Sequence, residues 1–82
     1  MQGLIEKNTN DVWTVDARGV AKLLGASERH IRTLDAEGKL PAPIQLGRLK
    51  KWNRDELRAW MESGCPDRET WQTIRSRQLG RI

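Results

Sequence analysis

The chain has 82 residues, which is room for one domain with a small core. Its 15 Lys and Arg outnumber its 11 Asp and Glu, for a formal charge of +4, and 37% of its residues are hydrophobic. No apolar run approaches membrane-spanning length, one cysteine excludes an internal disulfide, and one Cys with one His excludes a structural zinc site.

The polar, aperiodic stretch 1–11 reads as a tail. Val12-Trp13-Thr14-Val15 has the composition of a short strand or extended lead-in. Asp16 is placed to cap a first helix, with Val15 and Val20 at the positions of a hydrophobic staple. Leu23 and Leu24 continue the buried side, and Gly25 ends the helix. Ser27 caps the next helix, whose Ile31 and Leu34 face the core and whose stop is Gly38.

Lys39 to Trp52 reads as a hairpin, with Pro41 and Pro43 before the first strand and Gly47 at the tip. Two registers are open. A three-residue loop, Gly47-Arg48-Leu49, turns Ile44, Leu46 and Trp52 inward together with Lys50. A two-residue turn pairs Leu46 with Leu49 and sets them against Trp52. Asn53 and Glu56 form a capping-box pattern, Trp52 and Leu57 a second staple, and Leu57, Trp60 and Met61 an apolar stripe ended by Gly64. Pro66 is placed as the first residue of a last helix, with Asp67 and Glu69 in its first turn. Trp13, Trp52 and Trp60 are expected in the core. The thin stripe of Trp71 and Ile74 either packs on that core, near Trp60 and Met61, or meets a second copy. Its narrow width favours the first.

The charge is unevenly placed. Residues 1–38 hold five basic and six acidic side chains, whereas residues 39–82 hold ten and five. From Lys39 to Arg54 there are five basic groups and no acid, a stripe suited to a polyanion. At about 100° per residue, Arg29, Arg32 and Thr33 lie opposite Ile31 and Leu34, with Glu28 and His30 on the flanks. A helix with this face fits the major groove, where Arg donates twice to guanine and Thr meets a base edge or the thymine methyl. The candidate DNA contacts are therefore Arg29, His30, Arg32 and Thr33, with Ser27 and the amides of its helix start on a phosphate. Arg48, Lys50 and Lys51 of the hairpin are placed for a flanking phosphate or the minor groove. No nucleophile–base pair, phosphate-binding glycine loop or metal-ligand spacing occurs, so neither catalysis nor a cofactor is expected.

The pieces VAKLLGAS at 20–27, EGKLPAPIQLGR at 37–48 and WNRDELRAWM at 52–61 resemble the small MerR-like winged helix-turn-helix proteins of the excisionase and AlpA type. The resemblance implies a mainly helical fold with a small β-hairpin wing, a recognition helix at 27–37 and a wing at 44–52. It departs from the pattern at Glu28, where such proteins often carry a basic or small residue, and at Lys50, where an apolar one is common. It implies a phage, prophage or mobile-element protein that binds double-stranded DNA to regulate transcription, or else to direct site-specific recombination beside an integrase. Residues 12–64 are then the DNA-binding domain and 65–82 an appended helix. The expected partners are DNA and a second copy upon it, with no membrane, in the cytoplasm of a bacterial or phage-infected cell. An adaptor that kept the fold without binding DNA is the reading from another class.

Overall fold

The computed structural model describes residues 12–79, so the expected tail at 1–11 lies outside the described residues. The elements run β1 (Thr14–Val15), α1 (Ala17–Leu24), α2 (Glu28–Ala36), β2 (Ile44–Leu46), β3 (Leu49–Asn53), α3 (Arg54–Glu62) and α4 (Arg68–Leu79). The three strands form one antiparallel sheet in the order β1-β3-β2. This is the expected fold, mainly helical with a hairpin wing. Among the described residues, no helix is long and apolar enough to cross a membrane.

Short-range chemistry sets the helix starts. Asp16, Ser27 and Asn53 each accept the amide of the residue three positions on, Gly19, His30 and Glu56, at 2.9, 3.0 and 2.9 Å. The Gly19 amide also holds the Asp16 carboxyl below its ordinary pKa. Both staples close, since Val15, Val20, Trp52 and Leu57 are all buried. Gly25 takes the left-handed conformation at φ 69°, and its amide bonds the Ala21 carbonyl, turning the chain from α1 into α2.

The core gathers Val15, Val20, Ile31, Leu40, Trp52, Leu57, Trp60 and Trp71 around two alanines of α1. All three buried indoles find an acceptor. Trp52 donates to the Pro41 carbonyl at 2.9 Å, Trp60 to the Pro66 carbonyl at 2.7 Å and Trp71 to Glu56 Oε2 at 2.8 Å. Trp71 thus packs on its own chain, as the narrow stripe favoured.

Several expectations are corrected. Trp13 is 86% exposed and stands outside the core, because it precedes β1 and only its carbonyl is engaged, by the Arg54 amide. Leu23 and Met61 are exposed at the rim of the α1–α3 groove, while Leu24 packs against the core. The last helix begins at Arg68 rather than Pro66. Asp67 is its cap, accepting the Thr70 amide at 2.9 Å, while the Pro66 carbonyl serves Trp60. The capping box at Asn53 is half made: the Glu56 carboxylate turns instead to Trp71 and Arg75.

The wing takes the two-residue turn, with Leu46 opposite Leu49, Gln45 opposite Lys50 and Ile44 opposite Lys51. Gly47 opens the turn at φ 60°, a conformation that suits glycine at the first position of a tight hairpin. Alternation then places Trp52, Lys50 and Gln45 on the inner face, leaving Ile44, Leu46 and Leu49 exposed on the outer one.

One glycine is fixed by packing. A Cβ on Gly19 would stand 2.6 Å from Val15 Cβ, which β1 pairing with Trp52 holds in place. Alanine normally stabilises a helix interior by up to about 1 kcal/mol over glycine. Here the overlap reverses the sign, and Gly19→Ala should lower the urea-unfolding free energy by about 1–3 kcal/mol. A gain in stability would show that β1 yields to the new methyl group.

Candidate nucleic-acid interface

The helix α2 is held from its inner side. Ile31 is fully buried and Leu34 packs beside it, so the residues at right angles and opposite turn outward. Ser27, Arg29, His30, Arg32 and Thr33 are all exposed. Arg29 makes no ion pair among the described residues, and neither do Arg48 and Lys51 of the wing.

Some of these groups are already engaged. The Ser27 oxygen accepts the His30 amide at 3.0 Å, leaving its hydroxyl hydrogen to donate outward. The Thr33 hydroxyl donates to the Arg29 carbonyl at 3.1 Å, so its methyl group and oxygen lone pairs are what it offers a partner. Arg32 donates to Glu28 Oε2 through Nε at 3.2 Å and Nη2 at 2.5 Å, while Arg18 of α1 lies 3.7 Å from Oε1. The Arg32 hydrogen bond holds the Glu28 carboxyl below its usual pKa, so this acid stays charged beside the cations.

Between α2 and the wing runs a cleft of about 410 Å³, lined by Arg32, Asp35 and Ala36 on one side and Arg48, Leu49 and Lys50 on the other, with Trp52 and the start of α1, Asp16 and Ala17, also bordering it. Arg32, Arg48 and Lys50 are thus brought together. Lys51 belongs to the outer face of the wing, next to Asp16, whose carboxyl its charge helps to depress. His30 points the other way, lining an apolar groove with Leu24, Leu34, Trp60 and Met61. It is set apart from the cationic cleft.

Lys50 has an internal role that sequence reading missed. Its position on the inner face of β3 carries Nζ to 3.0 Å from Asp35 Oδ2. The other carboxylate oxygen, Oδ1, takes Arg68 Nη2 of α4 at 2.7 Å, and Arg68 Nε donates to the Leu40 carbonyl at 2.9 Å. One carboxylate therefore joins the C-terminal end of α2 to the wing and to α4. Asp35 sits one turn from Ile31 at the edge of the helix core face, and that proximity was the only available signal.

This geometry suits a polyanion. The cleft sets three cations, Arg32, Arg48 and Lys50, against two acids, of which Asp35 is neutralised from two sides and Asp16 lies near the charge of Lys51, and the exposed face of α2 carries no bulky apolar group. Among the described residues, no three His, Cys, Asp or Glu side chains gather into a metal-holding group. No curated protein and no solved structure matches the chain significantly. The family model described as a helix-turn-helix domain matches residues 16–65, more than half of the chain, from the cap of α1 to the turn after α3. The protein belongs to this helix-turn-helix family, that of the excisionase- and AlpA-type regulators, and is a DNA-binding regulator.

Proposed function

We propose that this protein is a non-enzymatic, sequence-specific regulator of transcription carried by a phage, prophage or mobile element. The observation that supports this most is the cationic cleft between α2 and the wing, beside an exposed helix face with a free Arg29. In this reading α2 enters the major groove with Arg29, Arg32 and Thr33 toward the base edges. Ser27 and the first amides of α2 hold a phosphate, His30 stands at the margin, and Arg48 and Lys51 grip the adjacent backbone. Residues 12–64 form the binding unit, and α4 (Arg68–Leu79) braces it. One copy covers little DNA, so two copies on neighbouring half-sites are the working form.

A salt titration on mixed-sequence duplex tests the reading. Replacing Arg48 and Lys51 together by Ala should flatten the slope of log affinity against log salt by about one to two units. Lys50→Ala should change it by less than either single neighbour, because Asp35 already neutralises that charge. An unchanged slope in the double variant would remove the wing from the interface. Absence of any salt-dependent binding would favour the protein-adaptor reading instead. The family's excisionase-type members keep recombination control as the second reading, and an excision assay beside a promoter reporter, with the neighbouring integrase if one exists, separates the two.

A further inference from the structure

Glu28 is an acid on the face that meets a polyanion, which costs affinity unless it serves another end. Its geometry shows what that end is. A guanidinium has two edges that each present a pair of donors: the side edge, Nε with one hydrogen of Nη2, and the end edge, Nη1 with the other hydrogen of Nη2. Glu28 occupies the side edge, taking Nε at 3.2 Å and Nη2 at 2.5 Å on the same oxygen. The end edge of Arg32 remains open, with two parallel N–H groups at the spacing that matches O6 and N7 of guanine. Arg18 approaches the second oxygen of Glu28 from α1 at 3.7 Å, steadying the carboxylate from the neighbouring helix.

We propose that Glu28 is a positioning residue that converts Arg32 from a general phosphate contact into a guanine reader. The inference rests on α2 being the helix that meets the bases. Two physical effects act together. The carboxylate fixes a flexible side chain whose own exposure, 67%, would otherwise let it swing to the nearest phosphate. It also cancels the charge that draws Arg32 to phosphates, so what remains is directional hydrogen bonding. Affinity for arbitrary DNA is given up and discrimination at one base pair is gained.

The test is selection of bound duplexes from a library with a randomised centre, using the full chain, followed by binding of the selected duplex and a mixed-sequence duplex. Wild type should enrich a guanine at one position, and Arg32→Ala should weaken that preference about tenfold. Glu28→Ala should weaken the same preference to a similar degree while binding mixed-sequence duplex as tightly as wild type or more so. Glu28→Gln, whose amide oxygen still accepts but carries no charge, should fall between wild type and Glu28→Ala. A merely structural role would lower both affinities in parallel, and that result overturns the proposal. So does full guanine preference in Glu28→Ala, or a cytosine preference lost in Glu28→Ala and kept in Arg32→Ala, which would make Glu28 the reader. If wild type binds and Arg32→Ala leaves every base preference in place, this inference falls while DNA binding stands. If no duplex is bound at all, the functional reading itself falls.

Discussion

Trp71→Ala should remove a large share of the stability of this protein. The indole is 2% exposed and packs in the same cluster as Trp52 and Trp60, so its loss opens a cavity that helices tied by short loops cannot collapse. Truncations of this kind cost about 3–5 kcal/mol, out of the roughly 5–15 kcal/mol that holds a small domain. The variant also strands a charge-assisted bond: Glu56 Oε2 loses the indole N–H at 2.8 Å and keeps only Arg75 at 2.9 Å. For a domain of this size the melting temperature should fall by roughly 15–30 °C. Because the contact lies within one chain, the drop should be the same at every protein concentration. Trp71→Phe, which keeps most of the bulk, should recover more than half of the loss. A drop that shrinks as concentration rises would assign Trp71 to an interface between copies.

The fate of the four tryptophans shows where sequence reading succeeds and where it stops. Trp52 and Trp60 are legible because each sits in a local pattern, a staple before α3 and an apolar stripe along it. Trp13 carries the same side chain in an apolar context and ends 86% exposed, since one turn of geometry at β1 decides its direction. The caps at Asp16, Ser27 and Asn53 are legible for the same reason as the staples: donor and acceptor lie three residues apart. The wing register is not, because Ile44, Leu46 and Leu49 are aliphatic yet exposed, so hydrophobic alternation gives no vote between two turns. Glu56 shows the competition directly. Its spacing from Asn53 announces a capping box, but a buried indole N–H and an arginine from α4, 15 and 19 residues away, claim the carboxylate. The outward face of α2 follows from periodicity alone, while the state of each side chain on it does not. Arg29 and Arg32 share that face, and the i,i+4 spacing of Glu28 and Arg32 is a signal for the pair that the fold makes, while Arg29 stays free of one.

Asp35 is the second position where one change should act far beyond its own contacts. Its carboxylate is 14% exposed and holds Lys50 at 3.0 Å and Arg68 at 2.7 Å on separate oxygens. The two partners differ in kind. Lys50 is 53% exposed, and such a pair is worth about 0–1 kcal/mol. Arg68 is 29% exposed and also bonds the Leu40 carbonyl, while its backbone amide bonds the Gly38 carbonyl, so α4 and the loop after α2 are anchored together. Removing Asp35 leaves the guanidinium half-buried without its counter-charge, and Asp35→Ala should cost about 2–4 kcal/mol. Lys50→Ala should cost under about 1 kcal/mol. In a double-mutant cycle, Asp35 and Arg68 should couple by more than about 1 kcal/mol, and Asp35 and Lys50 by less. DNA binding should not simply follow stability. Breaking the Lys50 contact frees the wing from α2 at little cost to folding, so Lys50→Ala should widen the cleft and weaken binding to a selected duplex more than its small change in salt slope accounts for. Strictly additive losses for Asp35 and Arg68 would show that the carboxylate does not join α2 to α4, which is then held by Trp71, Arg75 and the Arg68 bonds to the Gly38 and Leu40 carbonyls.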